Sequence, residues 1–133
     1  MPATNPSKTT LWTGRILTGL AVAFLLMDAV IKVLQLPAAV QATLALGFPA
    51  GAVLGIGLLE LACIVLYVTP RTAVLGAILL TGYLGGAIAS QMRIGAPVFS
   101  HILFPTYIAA LFWVGLYLRD DRLRILLPIR ARA

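Results

Sequence analysis

The sequence predicts an all-α fold: an antiparallel bundle of four transmembrane helices with both termini on the cytoplasmic side. Three observations lead there. The chain of 133 residues is 61% hydrophobic and only 11% charged, with a mean hydropathy of +1.02. A soluble domain carries about 25% charged residues to keep its surface wet, so this chain needs lipid around it. Its apolar residues fall into four continuous runs, each approaching the roughly 20 residues that cross a bilayer as a helix. They do not alternate as the strands of a membrane barrel would. Lysines and arginines, finally, are distributed unevenly between the two sides that these runs define.

Residues 1–10 contain Pro2, Pro6 and Lys8 and read as a disordered lead-in. The transmembrane domain is expected over residues 11–118, opening with an apolar segment over 11–34. That segment is longer than the hydrophobic part of a signal peptide and contains Asp28 and Lys32, which predicts a retained helix. Residues 35–50, with Pro37 and Pro49 around a short apolar stretch, read as a connection with a helical turn or two in the membrane interface. The second helix is expected over 51–69, ended by Pro70-Arg71, and the third over 72–92. So short a turn between them predicts a tight antiparallel pair. Gly95 and Pro97 break the chain before a fourth helix over 98–118, and residues 119–133 form a basic cytoplasmic tail.

Orientation follows from the basic residues. Lys8, Arg15, Arg71 and the five arginines of the tail share one side, while only Lys32 and Arg93 fall on the other. The richer side faces the cytoplasm, which places the protein as a multi-pass component of a bacterial inner membrane. The net charge of +6 does not indicate nucleic-acid binding, because half of the ten basic residues crowd the flank of an apolar span, where they face lipid headgroups. Gly47, Gly51 and Gly55, and likewise Gly82 and Gly86, are four apart, the spacing that lets two helices approach closely in lipid, within one chain or between copies of a homo-oligomer.

Ionisable residues inside membrane helices are costly and mark functional positions. Five qualify: Asp28, Lys32, Glu60, Arg93 and His101. Counted along their helices, all fall in the half of the bundle facing away from the cytoplasm, with Ser90, Gln91, Ser100 and Thr106 at compatible depths. Asp28 and Lys32, spaced i, i+4, can pair on one helix face, and both Lys32 and Arg93 can also reach the interface as long amphipathic side chains. Glu60 is nearly central in its span, so it must be protonated, paired with Lys32 or Arg93, or open to a watery cavity. His101 is the residue type suited to proton exchange near neutral pH, or to capping at an interface. Pro105 deprives the His101 carbonyl of its helical donor, which predicts a kink or a free carbonyl there. The candidate catalytic residues are therefore Glu60, His101 and Asp28. The candidate ligand-binding residues are Lys32, Arg93, Gln91, Ser100, Tyr83 and Tyr107, around a pocket suited to a lipophilic molecule with a polar head, such as a quinone, a sterol or another lipid.

Familiar catalytic and cofactor motifs are missing: there is no CxxCH, no phosphate-binding glycine loop with lysine, no HExxH and no nucleophile elbow. One histidine and one distant cysteine, Cys63, do not make a metal site or an axially paired haem within one chain. Cys63 reads as a small hydrophobe. No intrinsic cofactor is expected; any redox work would use a bound quinone, a partner's cofactor or an oligomeric site.

Several stretches together resemble the DoxX-like family of small four-helix membrane proteins. They are Trp12-Thr13-Gly14-Arg15, Asp28-Ala29-Val30-Ile31-Lys32, Leu46-Gly47-Phe48-Pro49, Gly57-Leu58-Leu59-Glu60-Leu61-Ala62-Cys63, the run from Pro70 to Ala87, and Phe99-Ser100-His101-Ile102-Leu103-Phe104-Pro105. The resemblance covers roughly residues 11–128 and implies an antiparallel four-helix membrane bundle. It also implies quinone-linked redox work, since named members include a subunit of an archaeal thiosulfate:quinone oxidoreductase and components of oxidative-stress complexes, while some similar proteins are assembly factors. It assigns no catalytic residues; the candidates above rest on depth and charge. Three functions stay open: an accessory subunit of a membrane redox system, working with a membrane or peripheral oxidoreductase; a non-catalytic scaffold or assembly factor; and a small lipid-modifying enzyme using Glu60 and Asp28 as acid and base.

Overall fold

The computed structural model describes residues 7–127, and the chain there is helical throughout apart from its turns. Helix α1 runs Lys8–Val33, α2 Pro37–Ala45, α3 Ala52–Val68, α4 Ala73–Arg93, α5 Phe104–Arg119 and α6 Asp121–Leu126, with a π-helical turn over Val98–Ile102 ahead of α5. Ser7 starts α1 by accepting the Thr10 amide on its hydroxyl at 3.1 Å. The helix thus begins three residues before the expected break, inside the lead-in, whose remaining residues 1–6 lie outside the described range. The basic tail likewise begins as a helix: Asp120 caps α6 by accepting the Arg122 amide at 2.9 Å, and Arg130 and Arg132 lie outside the described residues.

Three helical stretches, Lys8–Val33, Pro70–Arg93 and Val98–Arg119, are long and apolar enough to cross a membrane. Helix α3 is apolar but has 17 residues, a rise of about 25 Å at 1.5 Å each. The four long helices pack in a closed ring in the order α1, α3, α4, α5 and back to α1. Large apolar side chains such as Leu20, Leu58, Val65 and Ile78 stay exposed around it, as expected of a surface that meets hydrocarbon rather than water.

Two kinds of contact close the ring. One is the glycine approach. A Cβ on Gly57 of α3 would stand 2.7 Å from the Lys32 Cβ and 3.0 Å from the Val33 amide nitrogen, and one on Gly14 would stand 2.9 Å from the Gly115 carbonyl oxygen. These positions were not among the expected packing glycines. Gly51, Gly55, Gly82 and Gly86 have nothing within 4 Å of the place a Cβ would occupy, so the spacing they show produces no close helix contact among the described residues. The other kind is a polar pin. The Tyr67 hydroxyl on α3 donates to the Phe112 carbonyl of α5 at 2.7 Å, and the Trp113 indole of α5 donates to Thr81 of α4 at 2.7 Å.

At the end opposite the polar cluster, Arg71 in the α3–α4 turn shares a surface pocket with Asp120 and Arg122, so basic groups of the turn and of α6 lie side by side. The Arg119 side chain lies against Gly14, which brings the start of α1 to the same end.

The glycine contacts make an expected outcome plain. Gly57→Ala should destabilise the bundle by about 1–3 kcal/mol through overpacking against α1. Gly85→Ala, where a Cβ meets nothing, should be neutral or stabilise by up to about 1 kcal/mol through helix propensity. Denaturant unfolding in detergent, followed by tryptophan fluorescence, measures both.

Candidate functional site

Lysine 32 sits in the last turn of α1, where the close approach of Gly57 lays its side chain along α3. Its ammonium donates to Asp28 one turn back, to Glu60 Oε2 at 3.2 Å and to the Tyr83 hydroxyl at 2.7 Å. The Tyr83 hydroxyl in turn donates to Glu60 Oε2 at 2.9 Å. Three helices therefore meet at one ammonium: α1 supplies Asp28 and Lys32, α3 supplies Glu60, and α4 supplies Tyr83. Among the alternatives open for Glu60, the geometry selects pairing with Lys32. Glu60 is 0% exposed. Isolated at that depth a carboxylate would cost several kcal/mol, and the ammonium and phenol beside it offset that cost. Its second oxygen, Oε1, is buried and has no hydrogen-bond partner among the described residues.

A cavity of about 320 Å³ opens beside this cluster. Asp28, Lys32, Glu60 and Tyr83 form one wall, Gln91, Ser100 and His101 line it from the ends of α4 and the π-helical turn, and Phe24, Leu84, Phe104 and Ile108 supply apolar surface. Phe24 and Phe104 meet edge to face, with ring centroids 5.0 Å apart. The Ser100 hydroxyl and His101 Nδ1 pair at 2.8 Å.

Helix α2 covers the cavity. The expected turn or two is a helix of nine residues, started by Pro37 in its first turn, where a missing amide proton costs nothing. Ala38, Ala39, Ala42 and Thr43 give it a small-residue face toward the cavity. Arg93 does not join the polar cluster. Its guanidinium donates to the Leu46 carbonyl at the C-terminal end of α2 and lies over Gly47, whose φ of +91° and lack of a side chain both suit the approach. A cation at a helix C-terminus satisfies its free carbonyls, so Arg93 secures the end of α2 and is not among the residues lining the cavity. Tyr107 is also outside the cavity, half-exposed, with its hydroxyl donating to the Phe99 carbonyl at 3.0 Å.

The kink expected from Pro105 takes another form. The chain makes a π-helical turn, with the Leu103 amide donating to the Val98 carbonyl at 2.9 Å, and restarts as α5 with Pro105 in its first turn. Turns of this type frequently accompany functional sites, and this one presents Ser100 and His101 to the cavity. A second cavity of about 340 Å³ lies across Lys32 and Tyr83, lined by Phe48, Ile56 and Leu59 and by Gly82 and Gly86. Those two exposed glycines thus leave space on the outer side of the same polar wall.

The fold and site define a small helical membrane protein with a polar-headed cavity between its helices. Residues 16–115 match the DoxX-like family, and the chain belongs to that family. No curated protein and no solved structure matches it.

The cluster predicts unequal costs for two similar substitutions. Tyr83→Phe strips a donor from buried Glu60 and an acceptor from Lys32 and should cost about 1–3 kcal/mol. Tyr107→Phe, which loses an exposed hydrogen bond, should cost about 1 kcal/mol or less. Unfolding titrations in detergent compare them.

Proposed function

We propose that this protein is an accessory subunit of a quinone-linked membrane redox system. It holds a quinone or a chemically similar lipophilic molecule with its polar head against Glu60, Lys32 and Tyr83. The observation that carries the reading is the buried, unpartnered Oε1 of Glu60 in a cavity wall that is otherwise largely apolar. A buried polar atom left without a partner costs about 1–3 kcal/mol, which a ligand that reaches it recovers. The second cavity, on the lipid side of Lys32 and Tyr83, suits a molecule that arrives from the bilayer. His101, with Ser100 on its Nδ1, faces the same space and suits proton exchange. Electron transfer belongs to a membrane or peripheral oxidoreductase partner.

In this reading all four long helices cross a bacterial inner membrane, α3 with a slightly short span, and both ends of the chain face the cytoplasm. The gathering of Lys8, Arg15, Arg71, Arg119, Arg122 and Arg124 on the side opposite the cavity supports that orientation.

A second reading, a non-catalytic scaffold, is favoured by the way one ammonium ties α1, α3 and α4 together. The two separate on what the protein carries. Mass spectrometry of lipids extracted from the natively purified protein should find a quinone enriched at least about tenfold over its share of the bulk membrane extract. Ala42→Trp, which fills the cavity from α2 and leaves every residue of the polar cluster unchanged, should remove that enrichment and leave the melting temperature within a few degrees. Phospholipid alone in both preparations contradicts the quinone reading and favours the scaffold.

A further inference from the structure

Each polar hydrogen that the cluster owns is already committed. The three N–H bonds of Lys32 point to Asp28, Glu60 and Tyr83, and the Tyr83 hydroxyl hydrogen goes to Glu60 Oε2. What the cluster has left to offer is an acceptor, Glu60 Oε1, with no partner among the described residues. Oε2 already accepts two hydrogen bonds, so a proton taken up by Glu60 resides on Oε1. The same atom is then an acceptor when Glu60 is ionised and a donor when it is protonated.

We infer, resting on the quinone-class reading above, that Glu60 Oε1 discriminates between the ligand's oxidation states. As a carboxylate it accepts from a hydroquinone hydroxyl, and it receives the carbonyl of an oxidised quinone only when it carries a proton itself. The two ligand forms differ by two electrons and two protons, and binding transfers neither. The opposite contact, a carbonyl oxygen against an ionised carboxylate, sets two acceptors against each other in a buried place and is disfavoured. The far wall does not discriminate in this way. Gln91 carries both a donor and an acceptor on its amide, and the ring of His101 can serve as either according to its tautomer.

The consequence has a fixed sign. Raising the pH ionises Glu60 and favours the hydroquinone; lowering it protonates Glu60 and admits the quinone. The other titratable groups around it are Asp28 and Lys32 on α1, Cys63 one turn along α3, Tyr83 on α4 and His101 on the π-helical turn. Helix α2 contributes no titratable group to this lining, Thr43 being its one polar residue there, and α5 contributes only the apolar Phe104, Pro105 and Ile108.

Calorimetric titration of the full-length protein in detergent, under anaerobic conditions, with a short-tailed benzoquinone and its hydroquinone tests this. The ratio of the quinone Kd to the hydroquinone Kd should rise at least about fivefold from about pH 6 to about pH 8. It should rise likewise in His101→Gln and stay flat in Glu60→Gln. A ratio that is flat or falls with pH in the unmodified protein overturns the inference while leaving the quinone-class reading intact. So does a slope that survives in Glu60→Gln or vanishes in His101→Gln. Binding of neither form overturns both. Should Glu60→Gln not fold, the unmodified protein and His101→Gln still decide.

Discussion

The ion pair between Lys32 and Glu60 is the contact on which the rest of this structure depends. Glu60 stands fully buried in the middle of an apolar helix, a position that is expensive for a carboxylate without a partner. A cation from another helix offsets that cost, and Lys32 reaches it because Gly57 lets the end of α1 lie directly on α3. The pairing fixes the relative depth and rotation of α1 and α3. Tyr83, sharing both partners, fixes α4 to the same point. Two carboxylates surround one ammonium, so the cluster carries a surplus acceptor, the buried Oε1 of Glu60, on a residue that lines the cavity.

Around this point the chain departs from ideal helix where the cavity needs room. The π-helical turn and the restart at Pro105 open the top of the last long helix and bring the exposed Ser100 and His101 to the rim of the cavity. Helix α2, built on alanines, covers the opening without filling it, and Arg93 secures it from the end of α4. The polar pins at Tyr67 and Trp113 close the opposite side of the ring. The cavity is therefore the space left between a rigid polar junction and a lightly attached cover. In lipid, where apolar packing alone drives helix association weakly, such close glycine contacts and interhelical hydrogen bonds carry the specificity.

Much of this was legible in the sequence. The long apolar runs gave the helices within a few residues, because a chain in lipid must satisfy its backbone within each segment. Depth and charge singled out Asp28, Lys32 and Glu60, and the structure brings them together with Tyr83. Arg93 and Tyr107, expected around the same pocket, lie on other faces, because depth alone does not fix helix rotation; Arg93 turns instead to the Leu46 carbonyl at the end of α2. The glycine spacing, which allows contact within one chain or between copies, finds no partner helix among the described residues. Gly14, Gly57, Gly76 and Gly115 make close interhelical contacts, whereas the regularly spaced Gly82 and Gly86 have nothing within 4 Å of a Cβ position. Tyr67, hidden in an apolar run, gave no signal, since its hydroxyl partner is a backbone carbonyl on a distant helix.

The most direct test of the central pairing is a double-mutant cycle on Lys32→Met and Glu60→Leu, read by reversible unfolding in detergent. Lys32→Met leaves the fully buried Glu60 carboxylate without its cation, Glu60→Leu leaves Lys32 still paired with Asp28, and the double change removes the buried carboxylate along with the ammonium. The double variant should be more stable than Lys32→Met, with a coupling energy of about 1.5 kcal/mol or more. Simple additivity of the two single effects would contradict the claim that this ion pair organises the bundle.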